Sequence, residues 1–101
     1  MALDINDPHH LALLFKPGAL VFSTGVSQLM TEGRLDPLFY FQRHARGDWG
    51  DVPNDQRKQN NDAMGSGGAI QSAYIVHRDL RLVILTRADR SETRITLPDE
   101  R

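Results

Sequence analysis

The sequence predicts an α+β fold in a single domain, with two to three N-terminal helices packed on a three- to four-stranded antiparallel β-meander. Two observations lead to this prediction. Apolar residues in the middle of the 101-residue chain recur at helical spacing, whereas after residue 69 they alternate with polar residues. Turn-forming residues divide that last part into three strand-like segments, as expected for antiparallel hairpins.

The composition is that of an ordinary globular domain, with 40% hydrophobic and 25% charged residues. The chain has no cysteine, which excludes a disulfide framework, a thiolate metal site and a cysteine nucleophile. Its formal net charge of -1 gives no overall attraction to nucleic acid or to a membrane. We expect no signal peptide and no membrane helix, and therefore a cytoplasmic protein. We also expect no metal and no cofactor.

The N-terminal part contains one predicted strand and one predicted helix. Residues 1–18 are expected to form a loosely ordered segment that precedes a single domain of residues 19–101. Residues 19–23 are rich in strand formers and are the candidate fourth strand of the sheet. A helix is expected next, capped by Thr24 or Ser27 and ended by a glycine.

The clearest helix prediction runs from Asp36 to Gly47. Asp36 is a suitable N-cap, Pro37 suits the first helical position, and Gly47 is a suitable stop. The polar segment of residues 54–64 that follows is either a solvent-facing helix or a long loop. In the segment from Asp36 to Gly47, the apolar residues at helical spacing are Leu38, Phe41 and Ala45.

The last third of the chain predicts three antiparallel strands. Residues 69–77 alternate between two faces, and the pair at positions 78–79 suits a tight hairpin turn. Residues 80–86 are apolar on both faces and are expected to form a central strand. After a second turn at residues 88–91, residues 92–97 alternate as an edge strand with one solvated face would.

One cluster of candidate functional residues surrounds the only tryptophan. His44, Asp48 and Asp51 lie within eight residues of one another, beside Trp49. A histidine bonded to a carboxylate can act as a general base, and the three side chains could together hold a metal. Aspartates in short loops also bond their own backbone, with the tryptophan filling the core. We predict a binding role for Trp49, Asp48 and Asp51, with no catalytic and no metal-ligating residue.

A second candidate cluster is a strip of arginines in the sheet region. The chain has ten arginines and two lysines, and by strand parity Arg81 and Arg87 share a face, with Arg94 across from them. Such a strip suits an RNA backbone or an acidic protein surface, because guanidinium groups bind phosphate and carboxylate. Cross-strand ion pairs with neighbouring acids are the alternative. We predict a binding role for Arg81, Arg87 and the turn residues Asp89 and Arg90.

Several motifs of the chain resemble a family of small plasmid-related proteins. They include GDWGD at residues 47–51, ADRS-x-T at residues 88–93, and the Leu-Pro pair at residues 97–98. The most specific piece is GDWGD followed by the Asp89-Arg90-Ser91 turn. The resemblance covers about two thirds of the chain, from Leu35 to the end. Proteins of this family are carried on bacterial plasmids and integrative elements.

The resemblance implies an accessory protein of a mobile element, and such proteins commonly serve evasion of host defence. We therefore expect a non-catalytic inhibitor in the bacterial cytoplasm, of the anti-CRISPR or anti-restriction type. Its partner would be a host defence protein or ribonucleoprotein complex, with weak nucleic acid contact and no membrane contact. Two alternatives stay open. One is a toxin-like nuclease that uses His44 with Asp48 or Arg90, and the other is a nucleic-acid-binding regulator that uses the arginine strip.

Overall fold

The computed structural model describes residues 13–100, and their helices and strands confirm the predicted α+β class. Residues 1–12 of the predicted N-terminal segment lie outside the described residues. The elements, in chain order, are β1 (Ala19–Phe22), α1 (Thr24–Thr31), α2 (Pro37–Ala45), α3 (Asn54–Ser66), β2 (Ile70–His77), β3 (Leu80–Thr86), β4 (Glu92–Thr96) and a 3-10 turn (Pro98–Glu100).

The sheet is mixed, so the prediction of a wholly antiparallel sheet is wrong in one respect. The strand order is β1-β4-β3-β2, and the pairs β2–β3 and β3–β4 are antiparallel. Strand β1 pairs with β4 in parallel, with Leu20 beside Thr93. Strand β4 is therefore an interior strand, and the prediction that residues 92–97 form an edge is also wrong. Tight turns determine which consecutive strands pair in antiparallel fashion, so the local sequence indicates those pairs. The partner of β1 comes from the far end of the chain, and no local turn indicates it.

Helices α1 and α2 cover one face of the sheet. Ser23 caps α1 by accepting the backbone N–H of Val26 at 3.1 Å, in place of the predicted Thr24 or Ser27. The end of β1 decides this, because the N–H of Ser23 also bonds Ile95 of β4. Helix α2 begins at Pro37 as predicted. The core that these helices and the sheet enclose contains Val26, Leu35, Phe41, Ala45, Tyr74, Leu82, Ile84 and Ile95.

Helix α3 resolves the helix-or-loop alternative at residues 54–64, and it lies along the outer edge of β2. Its Asn60 is buried, and the side-chain amide bonds both the N–H and the carbonyl of Gln71. Next along this edge, the loop before α3 adds a short parallel bridge between Gly50 and Ala73. A helix and a loop therefore satisfy the backbone of an otherwise free strand edge. None of the helices among residues 13–100 has the length and apolar content that a membrane span needs.

Candidate functional site

His44 is fully buried between α2 and the sheet, inside a chain of hydrogen bonds. Its Nδ1 contacts the hydroxyl of Ser72, and its Nε2 lies 2.8 Å from Oγ1 of Thr86. Thr86 Oγ1 lies 2.7 Å from Oγ1 of Thr93, which donates to the carbonyl of Pro17 at 2.7 Å. The chain of bonds thus ties α2, three strands and the segment before β1 together.

The directions of these bonds identify the protonation state of His44. The carbonyl of Pro17 can only accept, so Thr93 donates to it and Thr86 donates in turn to Thr93. Thr86 then accepts from Nε2–H of His44, whose Nδ1 accepts from Ser72. Burial lowers the pKa of His44 to about 3, which keeps the ring neutral. Both ring nitrogens are used inside the core, so His44 is a structural histidine in this arrangement.

Asp48 pairs with Arg43, whereas the nuclease alternative needs it beside His44. The guanidinium of Arg43 donates to both carboxylate oxygens, at 2.7 and 3.3 Å, and holds the pKa of Asp48 below its usual value. The backbone carbonyl of Asp48 accepts the hydroxyl of Tyr74 at 2.7 Å. Within residues 13–100, no three histidine, aspartate or glutamate side chains cluster as metal ligands would. Asp48 therefore orders the loop after α2.

Trp49 and Asp51 belong to the loop that lies along the outer edge of β2. The Trp49 side chain is 1% exposed, and its indole N–H donates to Oδ1 of Asn61 at 2.9 Å. The N–H of Asp51 donates to the carbonyl of Ala73 at 2.7 Å, and its carboxylate accepts the N–H of Ile75 at 3.1 Å. Both residues were predicted to bind a partner. In the structure Trp49 packs in the interior, and Asp51 forms hydrogen bonds with the backbone of β2.

Arg90 and Asp89 stabilise the turn between β3 and β4. Arg90 has a left-handed backbone, with φ of 60°, and its guanidinium donates to the carbonyls of Gly68 at 2.7 Å and Ala63 at 3.1 Å. Asp89 accepts the N–H of Ser91 at 3.0 Å, as turn aspartates do. Arg90 thus supplies donors to the end of α3, a role that sequence motifs cannot indicate.

Arg81 and Arg87, the remaining predicted binding residues, lie on the sheet face opposite α1 and α2. We call this face the open face. Cross-strand pairs such as Leu85 with Arg94 define its members, and Arg87 continues the alternation of β3 just beyond the strand. The open face comprises Ala19, Val21, Gln71, Ala73, Ile75, Arg81, Val83, Leu85, Arg87, Glu92, Arg94 and Thr96.

The open face has a buried valine, Val83, at its middle and exposed or half-buried side chains around it, which include arginines and Glu92. Ile75 and Leu85 are 47% and 36% exposed, and a hollow of about 630 Å³ is lined by Gln56, Gln71, Val83, Leu85, Arg94, Thr96 and Glu100. Arg94 pairs with Glu92 at 3.1 Å. Arg81 and Arg87 form no ion pair within 4.0 Å with a carboxylate of residues 13–100. The exposed apolar residues are what the sequence analysis missed, although an apolar pattern on both faces of residues 80–86 was a signal for them.

Aromatic side chains are missing from the open face. The chain has four phenylalanines, two tyrosines and one tryptophan, all within the described residues and none among the members of the open face. Sheet surfaces that bind single-stranded nucleic acid use aromatic rings on which bases stack.

Comparison with family models, with curated proteins and with solved structures finds no match for this chain.

Proposed function

We propose that the protein is a small non-catalytic inhibitor that binds a host defence complex, of the anti-CRISPR or anti-restriction type, through the open face. The observation that carries this proposal is the pair of exposed apolar side chains, Ile75 and Leu85, which lie close to Arg81 and Arg87 respectively. Neither arginine forms an ion pair with a carboxylate of residues 13–100. Protein interfaces commonly combine a desolvated apolar centre with arginine contacts. The choice of a defence complex as partner rests on the resemblance to plasmid-related proteins.

The environment of His44 supports a binding role over a catalytic one. A general base must reach the substrate proton, and the ring of His44 is buried with both nitrogens bonded. Asp48 and Arg90, its candidate partners, make their contacts with Arg43 and with backbone carbonyls. Within the described residues, each of the three side chains of the nuclease alternative thus has a structural role.

A phage or plasmid challenge tests the proposal. Cells with an active CRISPR system, and separately cells with an active restriction enzyme, receive the targeted DNA with and without the protein. We expect the protein to restore infection or transformation in one of these strains and to change nothing in the matched strain without the defence system. The double variant Leu85→Glu/Arg87→Glu should lose this effect while it keeps the urea unfolding midpoint of the parent protein.

The matched control is Arg57→Glu, a charge reversal at an exposed position of α3. This variant should protect the incoming DNA as well as the parent protein does. The proposal is wrong if the parent protein protects in none of the strains, or if the folded open-face variant protects fully. Binding of a short RNA that weakens steeply between 50 and 200 mM salt, together with no protection, would instead favour the nucleic-acid-binding regulator.

A further inference from the structure

Strand β3 and the residue just beyond it have four positions in a row on the open face, and their order is charged, apolar, apolar, charged. The row is Arg81, Val83, Leu85 and Arg87. The second of them, Val83, is buried, and the other three are exposed. A strand rises about 3.3 Å per residue, so the two arginines are separated by about 20 Å along the strand. The two apolar residues between them lie in the lining of the hollow described above. The open face therefore offers a hollow with the exposed Leu85 beside it, and this contact area lies between the guanidinium groups of Arg81 and Arg87.

The backbone of β3 limits what can bind on this row. Strand β3 pairs with β2 along its whole length and with β4 from Val83 to Thr86, so a peptide that lies on this part of the face finds no strand edge to extend. A peptide buried there must satisfy its own backbone hydrogen bonds, because an unpaired buried N–H or C=O is costly. An α-helix meets this requirement internally. Helices already cover the opposite face of the sheet in the same way.

We propose that the open face receives an acidic amphipathic helix of the partner, an inference that rests on the proposed function. About 13 helical residues span the 20 Å between Arg81 and Arg87. Apolar residues at i, i+3, i+4 and i+7 then pack on Leu85 and enter the hollow whose lining includes Val83. Carboxylates near both ends of the helix bind the two guanidinium groups, and this charge match selects an acidic helix over a basic one.

Face-to-face pairing that sets Arg81 or Arg87 against an arginine of a second copy is opposed by like charge. We therefore expect the acidic helix to belong to a different protein.

Purified protein and synthetic peptides test this inference. The probe is a capped 14-residue helical peptide with leucine at i, i+3, i+4 and i+7 and glutamate at most other positions. Its controls are a scrambled peptide of the same composition and a peptide in which lysine replaces glutamate. We expect the acidic helix to shift the NMR amide signals of Ala73, Val83, Leu85 and Arg94, and to bind about tenfold more tightly than either control.

Charge reversal in the protein provides the second arm. Arg81→Glu/Arg87→Glu should bind the lysine peptide in preference to the glutamate peptide, whereas the matched reversal Arg57→Glu/Lys58→Glu on α3 should keep the original preference. The inference is overturned if the peptides bind equally, if the shifted signals lie off the open face, or if a 12-nucleotide RNA or phosphatidylserine vesicles bind there more tightly than the acidic helix. A failed DNA challenge with intact peptide binding would refute the proposed function alone, and the reverse result would refute only this inference.

Discussion

The side-chain amide of Asn60 bonds both polar backbone groups of Gln71, the N–H at 3.0 Å and the carbonyl at 2.7 Å. It thereby acts on the edge of β2 as a neighbouring strand would. Further along the same edge, Trp49 and Asp51 pair with Ala73. Because this edge is closed, β2 is unsuited to edge-to-edge pairing. The surface that we propose for a partner is therefore the open face and not the edge of β2.

Asn60→Ala should lower the free energy of unfolding by about 2–3 kcal/mol, because it removes a buried side chain and leaves the half-buried N–H and carbonyl of Gln71 without their partner. Urea unfolding followed by circular dichroism measures this loss. The matched control is Gln59→Ala, an exposed position on the same helix, which should change stability by less than about 0.5 kcal/mol. Equal effects of the two variants would contradict the role of Asn60.

Two glycines with the same backbone angle offer a matched test of the loop beside β2. Gly33 and Gly50 both have φ of 70°, but a Cβ at Gly50 would lie 2.2 Å from the carbonyl oxygen of Ala73, whereas a Cβ at Gly33 meets nothing within 4 Å. Gly33→Ala should cost about 1–2 kcal/mol for the left-handed conformation alone. Gly50→Ala should cost clearly more in thermal or urea unfolding. Similar costs at both positions would refute the close approach of the loop to β2.

The burial of His44 predicts that stability falls as the pH falls. Its pKa is about 3 in the folded protein and 6.5 when the ring is exposed to water, so the unfolded state binds more protons between these limits. The contribution of His44 is complete above pH 6.5 and is lost on acidification toward pH 3, by about 1.4 kcal/mol per pH unit. Urea unfolding at pH 7, 6 and 5 measures the slope. Ring ¹⁵N shifts should report the Nε2–H tautomer throughout this range, and a doubly protonated ring at pH 5.5 would contradict the account.

Arg90 and Arg87 should behave differently when each is replaced by alanine. Arg90→Ala removes donors from the carbonyls of Gly68 and Ala63 and should cost about 2–3 kcal/mol of unfolding free energy. Arg87→Ala removes an exposed side chain and should cost less than about 0.5 kcal/mol. Differential scanning calorimetry of the two variants checks this. A large loss for Arg87→Ala with none for Arg90→Ala would contradict the structural role of Arg90.

Local signals in the sequence were sufficient for most of the fold. The turn at residues 78–79 and the alternation on either side of it place β2 and β3 next to each other, and Asp36 with Pro37 marks the start of α2. Such features depend on neighbours in the chain. The parallel pairing of Leu20 with Thr93 depends on residues more than seventy positions apart, and no turn encodes it.

The candidate site could be predicted only in part, for a similar reason. Strand parity correctly brings Arg81 and Arg94 to one face. Residue type alone could not separate the buried Trp49 from a binding tryptophan, or Arg90 as a donor to the end of α3 from an arginine that binds a partner. Those distinctions depend on which groups the folded chain leaves in contact with solvent, so they require the tertiary structure.

The central claim is that the open face contacts a host defence complex, and site-specific photo-crosslinking in defence-proficient cells tests it most directly. A photoreactive phenylalanine analogue replaces either Leu85, 36% exposed on the open face, or Phe39, 55% exposed on α2 on the other side of the sheet. We predict a crosslink from position 85, and none from position 39, to a subunit of a CRISPR effector or a restriction enzyme. Crosslinks to such a subunit from position 39 alone, or from position 85 to RNA, would contradict the account.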